Sequence, residues 1–210
     1  MGYEENKKSI VERLSEIITL KVNKRLNKEG LELQKMKLGF EILLINISKF
    51  IVIFAVAAVF NLLLEVSIMT LTFALIRKNA FGLHSKSSIV CTISSVIMFV
   101  LGSYLSSYIK LNNYAVLVTF LMTNLLLYKY SPGDTESHPL LGEKLRNKLK
   151  RDSVLTGIFL MLIALIIPNG TIKTLISLAV AYEVISILPI TYKILKRGYK
   201  NYEKYERAII

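Results

Sequence analysis

Two residues in this chain have the types and spacing for nucleophilic chemistry: His84 and, seven positions later, Cys91, the only cysteine. A thiolate attacks carbonyl carbon readily, and an imidazole within about 3 to 3.5 Å can take the thiol proton and return it to a departing amine. The run that carries them is Arg77-Lys-Asn-Ala-Phe-Gly82-Leu-His84-Ser-Lys86-Ser-Ser-Ile-Val-Cys91. Gly82 supplies a flexible backbone point, and Ser87 or Ser88 can cap a helix beginning there. Cys91 then falls in the first turn of that helix, where unpaired N–H groups and the helix dipole favour a thiolate. On one continuous helix the two residues would stand about 10 Å apart along the axis, with His84 leaning away from Cys91. The spacing therefore predicts that His84 is not in a helix continuous with Cys91. On spacing alone a second reading stays open, in which Cys91 is a small packing residue and His84 is merely solvated.

Other polar residues can complete such a site. Asp134, Glu183 and Asn124 are each able to orient an imidazole, and Lys86 can hold an oxyanion or a substrate carboxylate. Glu183 falls within an apolar run, where a carboxylate is costly and marks function by default. Its bland alternative is pairing with a tyrosine, Lys49 or backbone, or simple protonation. His138 is a rival histidine, but it precedes Pro139 in a polar loop and has no second cysteine to partner it. A single cysteine excludes an intrachain disulfide and makes a thiolate metal cluster implausible. No glycine loop of the phosphate-binding kind occurs, so neither metal nor cofactor is expected.

The elements that must position these residues are helices in a membrane. The chain has 210 residues, is 53% hydrophobic, and concentrates its apolar residues in runs such as Phe50 to Phe60 and Leu155 to Ile167. Six spans are expected, at about Leu38–Phe60, Leu62–Ile76, Ser88–Ile109, Tyr114–Tyr130, Val154–Ile167 and Ile172–Lys193, each approaching the roughly 20 residues a bilayer requires. Ahead of them, Ser9 to Asn27 is amphipathic, with Ile10, Leu14, Ile17, Ile18 and Val22 at helical spacing. It reads as a helix on the membrane surface, the alternative being a soluble helix packed on the protein. The fold class is thus all-α and polytopic. Residues 1–36 form the interfacial segment and 37–195 the membrane domain, with a catalytic loop at 77–91 and a cytosolic loop at 131–152. Residues 196–210 form a basic tail.

Charge distribution sets the orientation. Of 27 Lys and Arg, nine lie in the N-terminal arm, three at 77–86, six at 129–151 and six from Lys193 onward. With the N-terminus in the cytosol, only Lys110 and Lys173 face outward, so the positive-inside rule places both termini in the cytosol. The basic excess is an orientation signal, and nucleic acid is not needed to explain it. Lys144, Arg146, Lys148, Lys150 and Arg151 fix topology and can also attract an acidic partner.

The run from Arg77 to Cys91 resembles the motif of the accessory gene regulator protein B family, whose members are polytopic bacterial membrane endopeptidases that process a quorum-sensing peptide precursor. Arg, a glycine-containing turn, His and a Cys seven residues on map to Arg77, Gly82, His84 and Cys91. A second stretch, Tyr130-Ser-Pro132-Gly-Asp134-Thr135-Glu-Ser-His138-Pro139, is similar to the family's Pro-x-x-Thr-x-x-basic-Pro segment after the fourth span. There are two departures: Phe81 stands where many members have a second glycine, and His138 where Lys or Arg is commoner. The resemblance implies a cysteine endopeptidase of the bacterial cytoplasmic membrane, with His84 and Cys91 catalytic. Gly82, Lys86, Asp134 and Glu183 become orienting or oxyanion groups, and Arg77, Pro132, Thr135, His138, Lys144 and Arg146 contact substrate. It implies as partners a precursor peptide with an amphipathic N-terminal helix and an acidic C-terminal tail, and a second copy in a homodimer. The competing classes are a small peptide transporter, for which polar residues along the spans are few, and a non-catalytic membrane scaffold.

Overall fold

The computed structural model describes residues 10–83, 88–136 and 139–207, and within them every regular element is helical. In order these are α1 (Ile10–Leu26), α2 (Gly30–Val59), α3 (Leu63–Ala80), α4 (Ser88–Val96), a π-helical turn (Ile97–Leu101), α5 (Gly102–Ser106), α6 (Asn113–Tyr130), α7 (Glu143–Ile166), α8 (Gly170–Ile187), α9 (Pro189–Ile194) and α10 (Tyr202–Arg207). The chain divides into two compact units, Met1–Ile53 and Phe54–Ile210.

In the first unit, α1 ends where Asn27 takes a left-handed backbone and the Asn23 side chain accepts from the Lys28 N–H at 2.8 Å. Asparagine tolerates that conformation better than most residues, which makes it a natural helix stop. Ile10, Leu14, Ile17 and Leu20 on α1 are all exposed. α2 begins eight residues before the expected span. Its lead-in, GLELQKMK, consists largely of good helix formers with no stop signal, and the helix runs through it.

The second unit is built around α3, α6, α7 and α8, with α3 packed chiefly on α8 and α6 on α7. Their shared core contains Ile76, Phe120, Leu127, Leu160, Val180 and Ile187. Asn112 caps α6 by accepting from the Ala115 N–H at 2.9 Å, and Asn169 caps α8 through the N–H groups of Thr171 and Ile172. These caps close the short connections at 110–113 and 168–170. Outward from the core, Leu121, Met122 and Leu125 on α6 and Leu155, Phe159 and Leu162 on α7 are exposed. Apolar surface on this scale calls for lipid.

Among the described residues, three helical stretches are long and apolar enough to cross a membrane: Gly30–Val59, Ile89–Ser106 and Gly170–Ile187. Three of the expected six spans coincide instead with α3, α6 and α7. α3 carries Glu65, Arg77 and Lys78, and α7 begins with the polar run EKLRNKLKRD before turning apolar. The basic segment expected beside the fifth span is therefore continuous with it. The expected sixth span breaks after Ile187, where Pro189 starts α9 and can donate no backbone N–H.

Candidate active site

The centre of the site is built from the backbone that follows α3. Phe81 and Gly82 both have positive φ, +57° and +128°, so the chain leaves the helix sharply. Such values suit glycine and strain phenylalanine, so neighbours must hold the turn. They do. The Phe81 N–H donates to the Arg77 carbonyl at 2.9 Å, that of Gly82 to Gly133 at 3.0 Å, and that of Leu83 to Ser186 at 3.4 Å. Gly133 in turn donates to the Ala80 carbonyl at 2.8 Å, completing a parallel bridge between Phe81 and Gly133. The two motif-bearing stretches, 81–83 and 131–135, are thereby joined.

Gly133 is there because nothing larger fits. A Cβ at this position would lie 2.8 Å from the Tyr192 hydroxyl, 2.9 Å from Ile187 and 3.1 Å from the Gly82 Cα. Tyr192, almost fully buried on α9, donates its hydroxyl to the Asp134 carbonyl at 2.7 Å. Pro132 follows a cis peptide bond from Ser131, whose hydroxyl pairs with that of Ser153 on α7 at 2.7 Å. Thr135 is partly buried beside them.

Arg77 occupies the middle of this arrangement. Its Nη1 donates to Glu183 Oε2 at 2.8 Å and to the Ser186 hydroxyl at 3.2 Å, while Nη2 donates to the carbonyls of Gly82 at 3.1 Å and Leu83 at 2.9 Å. The guanidinium also lies over the Phe73 ring, 5.3 Å from its centroid. Glu183 is fully buried on α8, so Arg77 is the counter-ion that makes its charge tolerable there. The partner of Glu183 is thus neither a tyrosine nor Lys49 but an arginine 106 positions away.

Cys91 lies in α4 and is partly buried; its carbonyl accepts from the Ser95 hydroxyl at 2.8 Å. His84, Lys86 and His138 lie outside the described residues, and so does the expected break between His84 and the helix of Cys91. Asn124 donates to its own helix at the Phe120 carbonyl, and Gly157 on α7 leaves room for its side-chain oxygen. The Asp134 carboxylate accepts from the Tyr202 N–H at 2.8 Å and lies 3.5 Å from the Asn201 amide.

The basic residues after Gly142 fall into two groups. Lys144, Lys148 and Arg151 line an open face of α7 together with Asn147. Arg146 instead turns to the C-terminal segment. It donates to Glu206 at 2.6 Å and 3.3 Å, to the Leu140 carbonyl at 3.0 Å, and stacks 3.9 Å above Tyr202. Residues 196–207 are therefore clamped rather than trailing, with Glu136 also bonded to Arg197 and to the Gly198 N–H. No pattern in the sequence pointed to Ser186, Tyr192, Asn201 or Glu206, and the expected span Ile172–Lys193 runs straight through Pro189.

The clamp has a pH signature. Arg146 and the Gly142 N–H hold the Glu206 carboxyl below its usual 4.5. A group whose folded value is depressed stabilises the bound form above its unfolded value and loses that contribution as pH falls through the folded one. Limited proteolysis at neutral pH should leave the segment after Arg197 protected, with cleavage there rising once pH drops below about 4.5. Equal cleavage at both would show that the ion pair does not hold the segment.

These features define a helical membrane protein in which two separate motif stretches are joined by the Phe81–Gly133 bridge, while a buried arginine–glutamate pair ties the first of them to α8. The chain belongs to the accessory gene regulator B family, whose sequence profile matches residues 15–187. That family takes part in maturing the autoinducer peptides of quorum sensing. An AgrB-like protein of Clostridium acetobutylicum is 58% identical over 97% of both chains, and one of Listeria innocua is 43% identical over 93% of this chain and 95% of its own. The accessory gene regulator protein B of Staphylococcus intermedius is 31% identical over 73% of this chain and 81% of its own. No solved structure matches the chain.

Proposed function

We propose that the protein is a membrane-embedded cysteine endopeptidase that removes the C-terminal part of a quorum-sensing precursor peptide and promotes cyclisation of the remainder. The observation that carries this reading is the bridge between Phe81 and Gly133, which joins the stretch that precedes His84 in the sequence to the Pro132–Thr135 stretch, the two segments that carry the family's motifs. In the resting pair Cys91 is a thiolate and His84 an imidazolium. Sulfur adds to the carbonyl carbon at the processing site, the C–N bond breaks, and the imidazolium proton goes to the departing amine. The C-terminal fragment leaves, and the rest of the peptide is held as a thioester on Cys91. An internal thiol or hydroxyl of the peptide then attacks that carbonyl, gives its proton to His84, and releases Cys91 as thiolate. The acyl group passes between activated esters, so no external energy source is needed, provided that water is excluded. A site at the membrane boundary favours that exclusion.

In this reading the chain crosses the bacterial cytoplasmic membrane six times with both termini in the cytosol, and works as a homodimer without metal or cofactor. Its substrate has an amphipathic N-terminal helix and an acidic C-terminal tail, and Lys144, Lys148 and Arg151 offer that tail an exposed cationic face. Residues 1–36 lie on the inner leaflet, 37–195 form the catalytic domain, and 196–210 stay cytosolic.

A precursor lacking its internal nucleophile tests the reading. It should accumulate on the enzyme as an adduct at Cys91 that hydroxylamine releases. Cleavage without any hydroxylamine-sensitive adduct would reject a thioester route.

A further inference from the structure

We propose that Arg146 and the Gly142 N–H form a carboxylate-binding site for an acidic peptide segment, and that α10 is its internal competitor, occupying the site with the protein's own Glu206 until such a segment displaces it. The inference rests on the endopeptidase reading only in naming that segment as the precursor's acidic tail. The geometry is that of a bound ligand. Arg146 Nη1 donates to Glu206 Oε1 at 2.6 Å and Nη2 to Oε2 at 3.3 Å, a two-pronged grip on both carboxylate oxygens. The Gly142 N–H adds a third bond, to Oε1 at 3.0 Å. A Cβ on Gly142 would meet nothing within 4 Å, so the approach to that N–H is open.

The receiving half of the site stands without Glu206. Arg146 also donates to the Leu140 carbonyl at 3.0 Å, and its guanidinium lies 3.9 Å over the Tyr202 ring, so the fork is oriented before a carboxylate arrives. Tyr202 is itself anchored, its N–H bonded to the Asp134 carboxylate at 2.8 Å, and Glu136 holds Arg197 and the Gly198 N–H just upstream. The ligand half is lightly held. α10 has no buried residue, and the Glu206 side chain is 36% exposed. Partly exposed ion pairs contribute little to stability, so Glu206 can leave while Tyr202 stays in place. A carboxylate on another chain then meets the same three donors. Lys144 and Lys148, exposed on the same stretch of α7, attract the rest of an acidic segment.

The test is binding of a fluorescently labelled oligoglutamate peptide to the purified full-length protein in neutral detergent, with oligoglutamine of the same length as the blank. Glu206→Ala removes the competitor and should tighten oligoglutamate binding roughly tenfold, as for a site about nine-tenths occupied by its own ligand. Glu203→Ala removes the same charge from the same helix, where it pairs with Lys200 and Arg207 rather than Arg146. It should change the affinity by less than about twofold, since exposed charges are screened. Adding Arg146→Ala to Glu206→Ala should abolish the gain. Displacement has its own readout, which needs no variant: oligoglutamate should speed tryptic cleavage of the parent after Lys204, and oligoglutamine should not. Equal gains from Glu203→Ala and Glu206→Ala would reduce the effect to overall charge and overturn the proposal. So would no gain from Glu206→Ala, a gain that survives Arg146→Ala, or peptide binding that leaves tryptic cleavage unchanged. None of these measurements depends on Cys91, so a protein that passes them but never cleaves precursor keeps this site and loses the endopeptidase reading.

Discussion

Cys91→Ala should stop precursor cleavage, lowering turnover by at least about 10,000-fold, because removing a nucleophile removes the covalent route altogether. His84→Ala should cost less, about 100- to 10,000-fold, since a thiolate retains some reactivity without its proton partner. The measurement is release of the C-terminal fragment when each variant is co-expressed with the precursor, normalised to the amount of protein in the membrane. Cleavage retained by the cysteine variant would eliminate the enzyme reading. Cleavage retained while the product fails to leave the cell would support the transporter alternative. The chemical assignment depends on Cys91 being unique, so no second thiol can rescue the variant.

The largest effect on stability should come from Arg77→Ala. Glu183 is fully buried, and deleting its counter-ion leaves an uncompensated carboxylate together with two carbonyls that lose their donor. Breaking a buried pair from one side costs about 3 to 5 kcal/mol, enough to lower the unfolding temperature in detergent by several degrees. Replacing both partners, as Arg77→Met with Glu183→Gln, should recover most of that loss, because no net charge then remains inside. The double variant should nevertheless stay impaired in cleavage, since the carbonyls of Gly82 and Leu83 are still unheld. If the single alanine variant melted like the parent, the pair would not be carrying charge compensation.

The helical membrane class was legible because it follows from local properties. Apolar runs act over a few residues, and the helices they mark overlap the spans expected from them. Boundaries moved where neighbouring segments were themselves good helix formers, as at Gly30–Lys37 and Glu143–Arg151, since a helix continues until something stops it. The π-helical turn at Ile97–Leu101 had no local signal.

By itself, then, the sequence determined that the chain is a bundle of membrane helices, with a lone cysteine near the start of one of them and two polar motifs between others. Tertiary structure alone decided what those motifs do for each other. Arg77 and Glu183 stand 106 positions apart, and nothing in either neighbourhood foretells that one guanidinium would bond α8 and the turn after α3 together. Likewise Tyr192 reaches Asp134 across 58 positions, and Glu206 takes Arg146, expected to contact substrate, across 60. Such pairings depend on how the helices pack, because burial in a shared interior makes each polar group require a partner, wherever in the chain that partner lies.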